Sequence, residues 1–368
     1  MKGKIKVEIF YYSNTKNNKL PAIIKHTITL LPFFLIVAMQ SFAQEAVTKK
    51  KAKKVYCKCT INGLPRGKAA SLKYEYRPHY NITTTDKTGN FGNSSNTIKN
   101  NGRIEAKVKI PIINKPYLSI IGGLKYNREE YNFKALPDGS NPLYKSLEDR
   151  DLKSIGANLT VIKPSLSNKF WILRLSANLN GDYSKSPLSK ANYLKFSVSP
   201  ALAWRKNDDL SYAVGLTYSY SFGRSLVFPT FALNYNFNER WSIETILPLF
   251  VKFRYGFNED FYWYNNIEFS AASYRLNNTN AALAAYQSLH LYTSELKVSS
   301  SLEKQLVGWL WAGIEIGGAH NFSYNLTNST SGKKDVIFKS KIKDGLLFNV
   351  NLFLVAPKKL YRRLTENL

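Results

Sequence analysis

Few residues in this chain could carry nucleophilic or metal chemistry. Of its 4 His, only His79, His290 and His320 lie beyond the N-terminal apolar segment. His320 is followed by Asn321 and Ser323, a set that could in principle activate a hydroxyl for attack on an ester. On a β-strand, however, His320 and Ser323 would face opposite sides, because they are an odd number of residues apart. The sequence therefore predicts no catalytic residue, and we expect the chain not to be an enzyme.

The 2 Cys, Cys57 and Cys59, are separated by one residue in the sequence VYCKCT. That spacing is too short for an unstrained disulfide, and two ligands do not complete a zinc site. No paired carboxylates and no Cys/His metal spacing are evident elsewhere. We therefore expect neither a metal nor another cofactor, and we interpret the two cysteines as small residues of a tether.

Basic residues are the chemical feature that the chain has in excess, with 52 Lys+Arg, 25 Asp+Glu and a formal charge of +27. The direction in which they point depends on the secondary structure, which is clearest in residues 103–112. Apolar side chains such as Ile104 and Val108 alternate there with charged ones such as Glu105 and Lys107. Successive strand side chains point to opposite sides, so this spacing predicts a strand with one apolar and one polar face.

The same alternation recurs along most of the chain. Aromatic residues such as Trp171, Trp204 and Trp241 gather near the ends of the alternating segments. Segments of about ten residues or more have the length that a tilted strand needs to cross a bilayer. The further segments are residues 72–76, 118–126, 155–161, 171–179, 194–204, 210–222 and 346–354.

These features predict an all-β fold, a transmembrane up-and-down antiparallel β-barrel. Soluble β-sandwiches also alternate, but their strands are usually about five or six residues long. The barrel must be closed, because lipid offers no partner for an unpaired strand edge. A soluble periplasmic β-sandwich is the alternative fold.

The connections between the segments fall into two lengths. Short polar turns are expected at residues 114–116, 206–209, 238–240 and 258–260, and long loops at 84–101, 132–150, 277–288 and 327–335. Short periplasmic turns and long external loops are typical of such barrels. The turns YNFNERW and YGFNEDF look alike, so both should lie on the same side, with a reversal near Leu247 and Pro248 between them. This predicts 14 strands with both termini inside, and 12 strands is the alternative.

An export signal precedes the predicted barrel. The apolar run ITLLPFFLIVAM follows several lysines and precedes SFAQ, which is the order of a secretory signal peptide with cleavage after Ala43. We therefore predict a cleaved signal peptide at residues 1–43 and a location in the cell outer membrane. A basic periplasmic tether at 44–67, the barrel at 68–356 and a periplasmic C-terminal tail at 357–368 complete the predicted organisation.

A family resemblance supports this interpretation. The signal ending in SFAQ, the basic tether, the alternating segments and the motif LPRGKAASLKYEY resemble the uncharacterised outer-membrane β-barrel families of Gram-negative bacteria. The resemblance covers about residues 63–355 and implies a fold and a location, not an activity. It also implies two partners: the lipid of the outer membrane, including lipopolysaccharide, and the barrel-assembly machinery during insertion.

The polar faces of the predicted strands would line the lumen with basic side chains. Glu75, Glu105 and Glu244 offset them in part. Because the basic residues alternate with lipid-facing ones and form no patch, nucleic acid is not an expected partner. The predicted lumen-lining basic residues are Lys73, Arg77, Arg103, Lys107, Lys109, Lys125, Arg174, Lys195, Lys252 and Arg254.

Three functions follow from a barrel with a basic lumen. Rings of basic side chains favour anions, so the first is a pore for small, anionic solutes. The second is a structural or envelope-interaction barrel without conduction, in which the same charges pair across a closed interior. The third, which ranks far behind, is an outer-membrane hydrolase that acts on lipid. The solute, the state of the lumen and the oligomeric state are left open.

Overall fold

The computed structural model describes residues 55–183, 193–219, 226–277, 281–286, 288–330 and 333–356. The predicted signal peptide, the polybasic stretch at 49–54 and the predicted C-terminal tail lie outside these residues. No helix in the described ranges is long and apolar enough to cross a membrane.

The described chain is built from long antiparallel strands, with one α-helix, α1 (Pro142–Asp149), in the connection between the third and fourth strands. The strands are β1 (Lys68–Asp86), β2 (Ser94–Lys115), β3 (Leu118–Phe133), β4 (Leu152–Pro164), β5 (Lys169–Gly181), β6 (Leu194–Arg205), β7 (Leu210–Ser219), β8 (Leu226–Asn236), β9 (Trp241–Leu247), β10 (Phe250–Asn258), β11 (Phe261–Leu276), β12 (Leu289–Val307), β13 (Leu310–Thr330) and β14, which has two segments (Lys333–Ile342 and Gly345–Val355).

The sheet closes on itself. Each strand pairs with the next along the chain, and both segments of β14 pair with β13 on one side and with β1 on the other in a single continuous register. The prediction of a closed 14-stranded barrel is confirmed, and the 12-stranded alternative is wrong. The reversal at Leu247 and Pro248 joins the two short strands β9 and β10 as expected.

The register also sets the inclination of the strands. A path that follows the paired residues once round the barrel ends on β1 about 16 residues from where it began. This displacement corresponds to strands tilted by about 40° from the barrel axis. The six turns at one end, hereafter the turn end, are short. Most connections at the other end, hereafter the loop end, are longer.

The outward face of the barrel is apolar. Leu72, Val108, Leu124 and Val350 point outward with 41–65% of their surface exposed. Aromatic side chains such as Trp171 are exposed in the same way toward the turn end. These side chains are not packed against a second layer of protein, as they would be in a β-sandwich. They form the apolar girdle that a membrane-spanning barrel requires.

Four adjacent strands exchange their inward and outward faces near the loop end. On β1 the inward residues are odd-numbered up to Arg77 and even-numbered from Tyr80 onward. β14 is interrupted at the same level, at Lys343 and Asp344, and β2 and β13 carry register shifts there. Beyond this level, hereafter the face switch, apolar residues such as Ile82 point into the barrel.

The strands reach farther at the loop end than the sequence indicated. The predicted loops at 84–101 and 327–335 are wrong in extent, because β1 continues to Asp86 and β2 begins at Ser94. Paired polar side chains hold these extensions together. Thr84 and Ser340 are joined by a buried hydroxyl hydrogen bond of 2.7 Å, and Thr97 donates to Asn81 at 3.0 Å.

The outward girdle predicts how a charge there would act. Leu124 lies in the middle of the apolar face, and Leu166 lies in an exposed turn at the turn end. We expect Leu124→Arg to lower the free energy of unfolding from lipid vesicles by about 2–4 kcal/mol, and Leu166→Arg by about 0–1 kcal/mol. Urea unfolding followed by gel mobility measures both. Equal losses would show that no hydrocarbon covers Leu124.

Candidate functional site

The interior of the barrel contains three successive layers. An apolar plug fills the loop end, a layer of ion pairs crosses the middle, and a polar cavity occupies the turn end. Each layer is built by inward residues of the strands, and the plug also includes α1.

Helix α1 carries the centre of the plug. Its first turn is stabilised by Pro142 and by Asn141, whose side chain accepts a hydrogen bond from the backbone NH of Leu143 at 2.9 Å. The apolar side of the helix faces the lumen wall. The Tyr144 ring stacks on Phe133 at 5.2 Å, and the Tyr144 hydroxyl donates to Thr84 Oγ1 at 2.8 Å. A helix from a connecting segment is thus packed inside the barrel.

The strands supply the remainder of the plug from beyond the face switch. These side chains are buried, so the loop end of the lumen is filled by tightly packed apolar groups. They include Tyr80, Ile82, Ile98, Tyr131, Leu152, Leu289, Leu291, Tyr324, Leu326 and Phe338.

Below the plug lies the ion layer, formed by Glu75, Arg77, Arg103, Glu129, Glu295 and Lys297. Arg77 contacts Glu75 at 2.6 Å and Glu295 at 2.9 Å. Arg103 contacts Glu129 at 2.8 Å and Glu295 at 3.2 Å. Lys297 lies 2.7 Å from Glu75. The layer joins β12 to β1, β2 and β3, and its three cations and three carboxylates neutralise one another.

The polar cavity at the turn end has a volume of about 690 Å³. Several of its charges are paired: Lys73 with Glu315 at 3.0 Å, Lys125 with Glu105 at 3.1 Å, and Lys107 also with Glu105. Tyr262, Tyr264, Trp311 and Phe353 form an aromatic part of the wall. The cavity therefore offers polar and aromatic surfaces to a solute.

Four basic residues near this cavity have no carboxylate within 4 Å in the described ranges: Lys109, Arg174, Lys252 and Arg254. Lys109 lies within electrostatic range of Arg174, Lys252 and Glu244. Arg254 is only 6% exposed, and its Nε and Nη1 have no hydrogen-bond partner among the described residues. Its guanidinium lies 5.7 Å from the centre of the Tyr262 ring. These four residues, hereafter the unpaired basic group, supply positive charge that the protein's described carboxylates do not neutralise at short range.

The ten basic residues singled out from the sequence occupy inward positions of their strands. Arg77 belongs to the ion layer, as does Arg103, which also lines the cavity. Arg254 packs beside the cavity-lining Tyr262, and Arg174 and Lys195 lie on inward positions of β5 and β6. The other cavity-lining members are Lys73, Lys107, Lys109, Lys125 and Lys252. Their effect on a solute remains a prediction.

Sequence reasoning missed most of the carboxylates in the lumen. The charges of Glu129, Glu268, Glu295, Glu303 and Glu315 lie inside in addition to those of Glu75, Glu105 and Glu244. Glu295 and Lys297 alternate with apolar residues on β12, and this spacing could have revealed that both point inward.

Residues 55–67 of the predicted tether run along the turn end as a strap. The backbone NH of Cys57 donates to the Ser165 carbonyl at 3.0 Å, and that of Asn62 donates to Asp208 at 2.8 Å. Farther along, Arg66 Nη1 donates to the Ala356 carbonyl at 2.6 Å. Since these contacts lie at different points of the ring, the strap crosses the mouth of the cavity, and Leu64 lines it.

The two cysteines belong to this strap and are free thiols. Both pack against a small apolar cluster that contains Phe170 and Ala203. Burial raises the pKa of Cys59 to about 12, so this thiol stays protonated and poorly nucleophilic at neutral pH. A packing role fits both residues.

The histidines do not form a catalytic set with Ser323. His320 faces outward and its Nδ1 lies 2.7 Å from Asp344 Oδ1, and both side chains are exposed. Ser323 lies at the face switch, on a strand position opposite Ser294. No group of three or more His, Cys, Asp or Glu side chains that could hold a metal ion occurs within the ranges that the structure describes.

Comparison with known proteins places these features in context. The family model described as "Domain of unknown function (DUF6268)" matches residues 67–352. No curated protein matches the chain. Among solved structures, a KdgM porin is 8% identical, with 77% of this chain and 98% of that chain covered and a TM-score of 0.31. A Pseudomonas aeruginosa FadL homologue is 10% identical, with coverages of 78% and 90% and a TM-score of 0.36. An outer membrane channel from Pseudomonas putida F1 is 10% identical, with coverages of 83% and 100% and a TM-score of 0.32.

The ion layer predicts an unequal response to the loss of single carboxylates. We expect Glu295→Ala to lower the free energy of unfolding by about 3–5 kcal/mol, because Arg77 and Lys297 lose a buried counter-charge. The control Glu130→Ala removes a solvent-exposed partner of Arg128 and should cost under about 1 kcal/mol. Unfolding by urea in lipid vesicles checks both. A loss for Glu295→Ala no larger than the control's would show that water screens the layer.

Proposed function

The chain belongs to the DUF6268 family, a domain of unknown function, and we propose that it is a gated outer-membrane channel for small anionic solutes. The observation that carries the proposal is the unpaired basic group beside a polar cavity, which is separated from the loop end by a plug built partly from a connecting segment. The remainder of the lumen is consistent with a channel that is closed at rest.

The orientation follows from the connections. Short turns face the periplasm in barrels of this kind, and longer loops face outward. The turn end, with the strap and the cavity, is then periplasmic, and the plug faces the cell exterior. The secretory signal predicted at residues 1–43 supports export to this membrane.

Selectivity for anions rests on the unpaired basic group. Paired charges such as Lys73 and Glu315 present little net field to a passing ion. The positive charges of Lys109, Lys252 and Arg254, in contrast, are not offset by a carboxylate within 4 Å among the described residues. Positive side chains in a low-dielectric channel attract anions and repel cations. A small organic anion could also contact the aromatic wall near Tyr262.

The gate in this proposal is α1. The helix is held by the apolar contacts of Leu143, Tyr144 and Leu147 and by the hydrogen bond from Tyr144 to Thr84. The helix lies in the 18-residue connection between β3 and β4. A connection of this length allows the helix to leave the lumen while the barrel wall stays intact. Opening would also require the ion layer to exchange partners.

A second function is favoured by one observation. All six members of the ion layer are paired within the layer, so the middle of the barrel is closed without any bound solute. A structural or envelope-interaction barrel without conduction would have such an interior. Electrical recording separates the two functions.

Recording in planar bilayers tests the gate. We expect the wild-type barrel to be mostly closed with rare openings, and Leu143→Asp with Leu147→Asp to raise the open fraction at least tenfold, because a charge in the plug is costly. The control Lys145→Asp changes a half-exposed side chain on the same helix and should leave the open fraction near that of the wild type. Steady conduction by the wild type would contradict the gate, and silence of all three proteins would favour the structural barrel.

The opened variant allows a test of selectivity. With Leu143→Asp and Leu147→Asp present, we expect Lys109→Gln and Lys252→Gln together to move the reversal potential in a KCl gradient toward that of a non-selective pore. The control is Lys115→Gln with Lys206→Gln, which removes two exposed lysines from the turn end of the barrel. Equal reversal potentials for the two sets would show that the unpaired basic group does not select ions.

A further inference from the structure

The outer surface of β13, β14, β1 and β2 changes character at the face switch. Toward the turn end it carries large apolar side chains, of which Phe322, Leu346 and Phe348 are the last before the face switch on β13 and β14. Toward the loop end the outward positions of these strands are mostly polar or basic, and Val336 is the exposed apolar residue among them. The boundary of the apolar girdle can therefore be located to within a few residues on this side of the barrel.

Lysines occupy successive outward positions directly beyond that boundary. Lys343, Lys341 and Lys339 are exposed, and the residues between them, including Ser340 and Ile342, point inward. One face of β14 therefore presents a row of cationic side chains.

The neighbouring strands extend this row into a surface. Lys341 lies opposite Thr83 of β1, and the backbone NH of Lys343 donates to the Asn81 carbonyl at 2.9 Å. On β2, Lys99 is exposed beside the same part of β1. The outer lysine strip is defined as Lys99, Lys339, Lys341 and Lys343.

The charges of the strip are not neutralised by the protein at short range. No carboxylate of the described residues lies within 4 Å of any of the four ammonium groups. Asp344, the nearest acid in sequence, lies 2.7 Å from His320. The strip is therefore a positive surface with hydroxyl and amide groups around it.

The depth of the strip can be estimated from strand geometry. With a rise of about 3.3 Å per residue and a tilt of about 40°, Lys343 and Lys341 lie about 8 and 13 Å beyond Leu346 along the membrane normal. The polar zone of a leaflet is about 5–8 Å thick, and lysine side chains extend toward it while their stems cover apolar surface. The ammonium groups of Lys343 and Lys341 therefore reach the level of lipid head groups, and Lys339 extends the strip farther outward.

We propose that the outer lysine strip binds the phosphate groups of the lipid in the outer leaflet, which in this membrane is lipopolysaccharide. Phosphates are the anions present at that depth next to the hydrocarbon that covers Phe322 and Phe348. Lysine binds them as a point charge, and Thr83 and Asn81 add hydroxyl and amide groups. This inference goes beyond the channel function and does not depend on conduction.

The experiment compares retained lipid in three proteins. The strip variant carries Lys339→Gln, Lys341→Gln and Lys343→Gln, and the control carries Lys115→Gln, Lys169→Gln and Lys206→Gln, which removes the same charge from exposed positions at the turn end. Each folded barrel, checked by heat-modifiable gel mobility, is mixed in detergent with lipopolysaccharide or with lipopolysaccharide whose lipid phosphates have been removed enzymatically.

We expect the wild type and the control to bind the phosphorylated lipid equally, and the strip variant to bind it at least tenfold more weakly. All three should bind the dephosphorylated lipid as weakly as the strip variant does. Equal binding by the strip variant and the control would overturn the proposal, as would undiminished binding of the dephosphorylated lipid. If the strip variant does not fold, Lys341→Glu alone gives the same comparison against Lys206→Glu.

Discussion

Backbone hydrogen bonding in hydrocarbon is the constraint on which the rest of this structure depends. A strand edge left unpaired in lipid costs several kcal/mol for each NH or carbonyl group, so the sheet must close. Here closure is the pairing of β14 with β1, which keeps one register across the break at Lys343 and Asp344. Because that register continues through the break, the face switch changes which side chains point inward and leaves the pairing of β14 with β1 in register. The outward alternation and the lumen then follow from the strand positions.

Closure with 14 strands leaves an interior too wide for side chains of the wall alone to fill. The chain fills the loop end with α1 and with apolar residues brought inward by the face switch. It fills the middle with paired charges, whose contribution to stability differs from that of the apolar plug. Breaking one buried pair is costly, yet the pairs as a set add little net stability compared with apolar packing. The ion layer therefore contributes a defined arrangement of β12 against β1 and β2 more than it contributes stability.

Much of the fold was predictable because the girdle imposes a period of two on the sequence. Residues 103–112 show it plainly, and the paired turns around Glu239 and Glu259 gave the correct strand number. The face switch was not predictable, since it depends on a change of inward face near Pro78 and an interruption at Lys343 that lie at one level only in three dimensions. The ion layer was also hidden. Its members are far apart in the sequence, and no local pattern links Glu295 to Arg77 and Arg103. The position of the strap across the lumen depends on tertiary hydrogen bonds that no local pattern encodes.

The two kinds of lumen charge also explain why the cavity and the ion layer should differ in their response to a solute. In the ion layer, an entering anion would have to displace a carboxylate that already satisfies Arg77 or Arg103, so entry gains little. Beside the cavity, the guanidinium of Arg254 has buried donors without a described partner, and an anion would supply acceptors at no such cost. Anions are therefore expected to accumulate on the strap side of the ion layer. In the proposed channel, passage across the barrel would be limited by exchange of partners in that layer and by withdrawal of α1, and the strength of attraction in the cavity would set the selectivity.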